Sequence, residues 1–362
     1  MYQCATKRLT NFEILRILAM FFVVVYHFFS HGLHCFGGEK IYFVLHDPLG
    51  WINFIGSELI YNLVQIAVNL YVMITGYFLV ENTTFKFEKI IKIWMQMLFY
   101  SSIIGSCFFF STNLINAGDF LKCFMPFKTE AYWFVTQYIA LVALSPFIAY
   151  MTKNIVKRNY LLLLGIMCLL TLEIYKFPFA YNFGNKCGNS LLFFITLFLT
   201  GGYVKKFGSF RCFCLSEKQL FVVVYIITIV WAVAKSTTLG REVSIEGFPY
   251  HSMTYIESVT FFQMFAKIKL NGKFWEHVAS VAPYAFGVYL ISDNRYLRMW
   301  IWDDIVSVYQ YVSSLFFIPY AILSAVMIMI VCMFVDALRM KLFSACRVYS
   351  LLKKIGFKIK IE

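Results

Sequence analysis

Two polar side chains interrupt the first apolar segment of the sequence. Arg16 and His27 lie in the largely apolar stretch 11–27. A charged side chain near the middle of a bilayer costs about 2.5–3.5 kcal/mol on insertion scales, so such a residue usually faces a bundle interior and marks a functional site. Arginine grips anionic or carbonyl groups, and histidine exchanges protons near neutral pH. The segment therefore predicts two chemical groups on one helix.

The spacing places both side chains on one face of that helix. Eleven positions at about 100° per residue return to nearly the same direction, and the two side chains are separated by about 16 Å along the axis. Glu13 lies three residues before Arg16, close enough on the helix surface for an ion pair. Such a pair would still leave guanidinium donors for a ligand, so both roles stay open for Arg16.

The composition indicates an integral membrane protein. Hydrophobic residues make up 60% of the 362 residues and charged residues 14%, against about 25% charged in soluble domains. Ten segments are candidates to cross about 30 Å of hydrocarbon, several of them short. They lie near 12–30, 58–80, 90–110, 132–150, 160–175, 190–204, 220–234, 252–268, 279–292 and 313–335. We expect an all-α bundle of about ten transmembrane helices.

The net charge of +13 is explained mainly by the orientation of the chain across the membrane. With the N-terminus inside, Lys and Arg accumulate in the inner loops of the ten-span arrangement, which places both termini in the cytoplasm. A nucleic-acid partner is therefore not expected, although an inner face that also attracts an anionic cytosolic ligand stays open. We expect a multi-pass protein of the cytoplasmic (inner) membrane.

No loop indicates a separate soluble domain. The loops are short, and Gly-rich phosphate loops, Walker motifs and zinc-protease motifs are absent. The ten cysteines form no disulfide framework, and Cys212 and Cys214 lack partners at zinc spacing. The first apolar segment lacks a cleavage site and is expected to be retained. We expect one bundle over residues 1–340, a basic tail over 341–362 at the membrane surface, and no metal or tightly bound cofactor.

Two more histidines follow His27. His31 and His34 continue at the fourth and seventh positions, a spacing that could gather three imidazoles around a metal. Gly32 and the glycines after it indicate that the helix ends there, and no acidic residue is adjacent in sequence. We therefore expect solvated histidines of an outer loop.

Further polar residues lie inside the predicted spans. They are Glu58, Asn69, Gln137, Glu173, Glu257 and Gln263. Each can form an ordinary hydrogen bond between helices. Glu58 and Asn69 are again eleven positions apart and would share one helical face, so both are candidates for substrate binding.

A group of charged and aromatic residues follows the ninth predicted span. It comprises Asp293, Arg295, Arg298, Trp300, Trp302, Asp303 and Asp304. Sugars stack their CH faces on aromatic rings and donate hydroxyl protons to carboxylates, which makes Asp293 a candidate for substrate binding. An interfacial aromatic belt with solvated charges would give the same pattern.

Several motifs resemble membrane acyltransferase family 3. The spacing of Arg16 and His27 matches the Arg and His of that family's opening helix. The stretch 69–78 resembles its second-helix element, 133–146 its aromatic helix ending in proline, and 286–291 its late helix. The similarity reaches from one end of the chain to the other.

Two departures from the family pattern affect what it implies. Many relatives have a histidine after the late-helix element, where this chain has Ser292, so a role for that histidine does not transfer. The inner loop after the second span, often arginine-rich in relatives, has Lys86, Lys89 and Lys92. Lysine lacks the bidentate fork of arginine, which weakens phosphate recognition there.

The resemblance implies transfer of an acyl group, usually acetyl, from cytosolic acyl-CoA to a hydroxyl of a cell-surface polysaccharide or lipid-linked glycan. His27 would then act as the base that activates the acceptor hydroxyl, and Arg16 would grip the donor. Further candidate donor contacts are Thr75, Gly76, Lys86 and Lys89, and candidate acceptor contacts are Glu58, Asn69, Trp133 and Asp293. Thr75 and Gly76 also suit ordinary helix packing.

Two other functions remain open from the sequence. A transporter or flippase for a lipid-linked glycan would also need polar groups in the bundle, whereas a non-catalytic membrane scaffold would need neither Arg16 nor His27. The sequence leaves the oligomeric state and the acceptor sugar undetermined.

Overall fold

The protein is an all-α bundle, about 75% helical with almost no sheet. The computed structural model describes residues 9–35, 39–112, 115–129, 131–172, 190–210, 215–238, 242–245 and 251–361. Glu173, Cys212 and Cys214 lie outside these ranges.

The described helices are numbered in chain order. They are α1 (Thr10–Ser30), α2 (Pro48–Val64), α3 (Ala67–Leu79), α4 (Phe87–Ser111), α5 (Ala117–Lys122), α6 (Trp133–Met151), α7 (Lys157–Thr171), α8 (Leu191–Phe207), α9 (Glu217–Thr237), α10 (His251–Lys267), α11 (Lys273–Ser280), α12 (Ala285–Ser292), α13 (Phe317–Ala345) and α14 (Val348–Ile355). Between α12 and α13 the chain forms a helical turn, Leu297–Met299, and a π-helical segment, Trp300–Ile305.

Six candidate membrane spans are found among the described residues. By length and composition they are α1, the pair α2 and α3 taken together, α4, α6, α9 and α13. The chain is therefore a helical protein with several segments able to cross a membrane. The predicted count of about ten spans, and the cytoplasmic location of both termini, stay predictions.

The second candidate span is interrupted near its middle. Asp47 caps the start of α2 by accepting a hydrogen bond from the Gly50 backbone N–H at 3.1 Å. The helix then breaks at Gln65 and Ile66 before α3 begins. The observed pair begins about ten residues before the span predicted near 58–80 and is not one continuous helix.

Helices α3 and α8 pack with their backbones in contact. A methyl group on Gly76 would lie 2.0 Å from the Phe198 carbonyl oxygen, and one on Gly201 would lie 2.0 Å from the Met73 carbonyl oxygen. Small residues permit this close approach between apolar helices. Glycine at both positions thus allows the backbones of α3 and α8 to pack in direct contact.

Two short antiparallel ribbons connect distant parts of the chain. Strand β1 (Phe43–Val44) pairs with β3 (Glu242–Val243), and β2 (Thr84–Lys86) pairs with β4 (Lys358–Lys360). Helix α13 continues past residue 340 to Ala345. The segment after it therefore returns to the bundle through β4.

A buried ion pair within α13 is hydrogen-bonded to α4. The Arg339 guanidinium donates to Asp336 from Nε at 2.8 Å and from Nη2 at 3.0 Å. The Asp336 carboxylate also accepts from the Tyr100 hydroxyl at 2.7 Å and the Gln96 amide at 3.0 Å. Arg339 Nη1 donates to the Tyr349 hydroxyl at 3.2 Å. Asp336 thus accepts four hydrogen bonds although it is fully buried.

Candidate functional site

Helix α1 holds Arg16 and His27 among other helices of the bundle. It packs against α2, α3, α12 and α13. His27 is 7% exposed, whereas the Arg16 side chain is 31% exposed. Both residues therefore contact protein, as the cost of a polar group in lipid requires.

Arg16 forms the ion pair that the sequence predicted. Its Nη1 donates to Glu13 Oε1 at 2.6 Å, and Glu13 is buried. The guanidinium carbon also lies 5.6 Å from the centre of the Phe78 ring on α3. Within the described ranges, the other guanidinium nitrogens make no hydrogen bond to protein, so Arg16 retains donors for an anionic or carbonyl group.

The α3 residues predicted to contact the donor have different surroundings. Thr75 donates to the Tyr71 carbonyl at 3.1 Å and shares a hydrogen bond with the Tyr138 hydroxyl of α6 at 3.0 Å. Gly76 faces the backbone of α8 instead. Its contacts support the helix-packing interpretation, while Thr75 lies in the seam between α3 and α6.

His27 belongs to a cluster around one buried carboxylate. Asp293, at the C-terminal end of α12, is 6% exposed. Its Oδ1 lies 3.9 Å from His27 Nε2, 3.3 Å from His31 Nε2 and 3.6 Å from Arg298 Nη1. Three groups able to carry positive charge thus surround a single carboxylate oxygen. We call these four residues the Asp293 cluster.

Several buried polar atoms in this region are without hydrogen-bond partners among the described residues, two of them next to Asp293 in sequence or in space. His27 Nδ1 and Ser292 Oγ make no hydrogen bond within the described residues. A buried donor or acceptor that lacks a partner costs about 1–3 kcal/mol, so such atoms call for an explanation. With Nε2–H directed toward Asp293, the lone pair of His27 Nδ1 is the one available to a reacting group.

Tyr132 and Asn294 hold the end of α12 in place. Tyr132 is fully buried, and its hydroxyl donates to the Leu290 carbonyl at 2.9 Å. The Asn294 amide in turn donates to the Tyr132 hydroxyl at 2.8 Å. Neither residue is among the predicted site residues, although each is adjacent in sequence to one, Trp133 or Asp293.

The expectation of solvated outer-loop histidines is wrong. His31 lies directly after the end of α1 and contacts Asp293, and His34 Nε2 lies 2.8 Å from Asp303 Oδ1. His34 Nδ1 is 3.1 Å from the Glu39 carbonyl oxygen. The acidic partners come from a part of the chain more than 250 residues away, so inspection of the local sequence could not find them.

The remaining predicted acceptor contacts lie at other helix interfaces. Glu58 on α2 accepts a hydrogen bond from the Asn62 amide at 2.8 Å. Asn69 on α3 donates to the Ser258 hydroxyl of α10 at 2.9 Å. The helix breaks between Glu58 and Asn69 at Gln65 and Ile66, so the eleven-residue spacing alone no longer places them on a common face. Trp133 begins α6 and packs its ring 6.2 Å from that of Phe194.

Three members of the Asp293 cluster have the donor types of a metal site. The possible ligand atoms of His27, His31 and Asp293 all lie within 4.8 Å of one another. Two imidazoles and a carboxylate suit zinc. The Arg298 guanidinium on the same carboxylate oxygen would compete with a cation for it. The absence of a metal stays a prediction.

Fold and site together define a multi-pass membrane protein with a buried histidine and a half-buried arginine on one face of its first helix. Residues 9–337, nearly the whole chain, match the family model of the acyltransferase domain, and the chain belongs to acyltransferase family 3. The resemblance inferred from the motifs is thereby confirmed. No curated protein and no solved structure matches the chain. Helix α14 and strand β4 lie beyond the matched residues.

Proposed function

We propose that the protein is an O-acyltransferase of the inner membrane. It moves an acyl group, which we propose is acetyl, from acyl-CoA to a hydroxyl of a cell-surface polysaccharide or lipid-linked glycan. Membership of the family supports acyl transfer. The buried Asp293 carboxylate beside His27 is the observation that supports His27 as the base.

The proposed reaction needs a base at the acceptor. A sugar hydroxyl attacks the thioester carbonyl carbon while His27 takes its proton, and the carbon–sulfur bond breaks to release the thiolate of CoA. The proton then passes from His27 to that thiolate. The Asp293 carboxylate favours the imidazolium that exists between the two steps, as carboxylates paired with catalytic histidines do.

The distance between Arg16 and His27 suits an extended donor. The two residues are separated by about 16 Å along α1, so no single small chemical group of the donor can contact both at the same time. In this arrangement Arg16 holds a part of the donor remote from the reacting carbon, and His27 acts at the acyl end. Fixing both ends of the donor positions its carbonyl for attack.

The acceptor is proposed to enter from the more exposed side of the Asp293 cluster. Arg298 has a side-chain exposure of 38% and His31 of 18%, against 8% for His27. A sugar that contacts Arg298 and His31 first would reach His27 with little displacement of the bundle.

Glycan analysis of cells tests the proposal directly. Cells with the intact gene, a deletion and His27→Gln are compared by mass spectrometry of their surface glycan at matched protein abundance. We expect the acyl mass to disappear in the deletion and in His27→Gln. His34→Gln is the matched control, because it removes an imidazole that contacts Asp303 instead of Asp293.

The same experiment separates the alternatives. A glycan that keeps its full acyl content with His27→Gln excludes His27 as the base. Loss of the glycan itself from the surface, without loss of its acyl groups inside the cell, identifies a transporter. Purified protein that binds no acyl-CoA and a deletion without effect on the glycan identify a scaffold.

A further inference from the structure

The ribbon of β2 and β4 presents lysines on one of its faces. Directly opposed residues are Thr84 with Lys360, Phe85 with Ile359, and Lys86 with Lys358. Opposed side chains point to the same face of a ribbon, and successive residues alternate. Lys86, Lys358 and Lys360 therefore share one face with Thr84, and the other face is apolar.

Like charges directly opposite each other on paired strands are destabilising. The two segments that form this region, residues 84–92 and 348–361, contain seven lysines and a single carboxylate, Glu88. The Glu88 carboxylate forms an ion pair with Lys92 at 2.7 Å and can offset only part of the charge. The pairing of Lys86 with Lys358 would thus be stabilised by an anion bound to the lysine face.

The C-terminal segment is held firmly enough to act as part of a site. The Phe357 ring stacks on Phe87 with centroids 4.8 Å apart, and the Ile361 N–H donates to the Thr83 carbonyl at 3.0 Å. Arg339 contacts Tyr349 of α14, which ties the same segment to the buried ion pair. The two strands are therefore anchored on both sides.

The lysine face is adjacent to the seam that leads to Arg16. A small cleft beside the ribbon is lined by Leu79, Asn82, Thr84, Lys86, Lys89, Val142, Ser145 and Pro146. Leu79 and Val142 lie one helical turn beyond Thr75 and Tyr138, whose hydroxyls are 3.0 Å apart. Arg16 packs on Phe78 in the same region. The lysine face, the cleft and the Arg16 guanidinium thus lie one after another along α3 and α6.

We propose that strand β4 completes a binding site for the phosphate groups of the acyl donor, with Lys358 and Lys360 acting together with Lys86. The proposal deepens the proposed function and rests on it, since it requires a donor that carries several phosphates. It also assigns a role to a segment that lies outside the residues matched by the family. Anionic lipid headgroups offer the same phosphate chemistry, and the experiment distinguishes the two sources.

Binding of coenzyme A to the full-length protein in nanodiscs of neutral phosphatidylcholine tests the site. Isothermal titration compares wild type with Lys358→Gln/Lys360→Gln. The matched control, Lys353→Gln/Lys354→Gln, removes two charges from α14 instead of β4. We expect the dissociation constant to rise about tenfold in the β4 variant, which corresponds to about 1.4 kcal/mol, and to change little in the control.

Two further measurements make the result specific. Lys358→Arg/Lys360→Arg keeps the charge and is expected to retain the wild-type affinity. Raising the salt concentration should weaken binding to wild type more than binding to the β4 variant, because screening acts on exposed charges. Thermal unfolding of each variant shows whether the ribbon has been disrupted instead of neutralised.

The outcomes separate this inference from the proposed function. If wild type binds coenzyme A and the β4 variant binds it equally well, the inference is wrong and the proposed function stands. If wild type binds no coenzyme A, the proposed donor is wrong and the inference falls with it. If the β4 variant loses only bound phosphatidylglycerol, measured by native mass spectrometry from mixed nanodiscs, the lysines hold lipid and the inference is overturned.

Discussion

Asp293 and Asp336 are both buried carboxylates in an apolar bundle, yet their surroundings differ. Asp336 accepts four hydrogen bonds at 2.7–3.0 Å from Arg339, Tyr100 and Gln96. Asp293 has His27, His31 and Arg298 at 3.3–3.9 Å from one oxygen, beside a His27 nitrogen that has no partner in the part of the chain that the structure describes. One carboxylate is saturated by protein, and the other is only loosely compensated.

Under the proposed function, the difference separates a structural carboxylate, Asp336, from one that takes part in the reaction, Asp293. A buried charge that is fully hydrogen-bonded stabilises a single arrangement and has no capacity left for a substrate. Loose compensation around Asp293 leaves room for hydrogen bonds to shorten when a substrate binds and a charge develops on His27, as happens in catalytic sites. Burial alone does not distinguish the two cases, whereas the count and length of hydrogen bonds do.

Asp293→Asn is expected to have the largest effect on catalysis. Asparagine keeps the size of the side chain but removes the charge that favours protonated His27, so the transfer rate should fall by about 10²–10³-fold. Transfer from radiolabelled acetyl-CoA measures the rate, and thermal unfolding should remain near wild type. Unchanged activity in Asp293→Asn would remove the basis for assigning a role to the cluster.

Asp336→Asn is expected to act on stability instead of chemistry. It leaves Arg339 buried without a counterion, and breaking a buried pair costs about 3–5 kcal/mol. The yield of monodisperse protein in detergent and its unfolding temperature report the loss. The double variant Asp336→Leu/Arg339→Leu removes both charges and should recover much of the lost stability. If stability is not recovered, the hydrogen bonds from Tyr100 and Gln96 to Asp336 contribute more to it than the ion pair does.

His31→Gln is expected to have a smaller effect than Asp293→Asn. His31 holds the Asp293 carboxylate at 3.3 Å but is not itself the proposed base. We expect kcat to fall by up to about tenfold, or 1.4 kcal/mol, with the KM for acyl-CoA unchanged because the donor is held elsewhere. A loss as large as that of His27→Gln would instead indicate that the two imidazoles act as one unit.

Metal removal is expected to have the smallest effect. The Arg298 guanidinium lies on the Asp293 oxygen that a cation would need, so treatment with a chelator should leave transfer unchanged. Mass spectrometry of the purified protein measures its metal content. Stoichiometric zinc that is lost together with activity would reassign His27, His31 and Asp293 as ligands.

The sequence was sufficient to locate α1 and its two polar residues. Ionisable side chains within an apolar run are rare, and an eleven-residue spacing fixes their common face regardless of the rest of the fold. The ion pair of Arg16 with Glu13 followed from the same local geometry. These predictions succeeded because they needed only one helix.

Contacts between distant segments could not be predicted in this way. The partners of His31 and His34 lie on the chain after α12, and nothing in the composition near either histidine specifies them. The break at Gln65 and Ile66 contains no Pro or Gly, the residues that most often mark an interruption. By contrast, the i,i+3 spacing of Asp336 and Arg339 predicts an ion pair on one helix. The pair falls just beyond the last predicted span, 313–335, and was therefore not among the predicted site residues.

The contact of α3 with α8 restricts how this molecule can open. Because Gly76 and Gly201 each face the backbone of the other helix, α3 and α8 cannot slide or rotate past one another without separating first. We therefore expect α3 and α8 to move together, and Thr75 with them. Any gating motion that admits the acceptor must therefore be taken up by other elements, and amide hydrogen exchange should be slowest along these two helices.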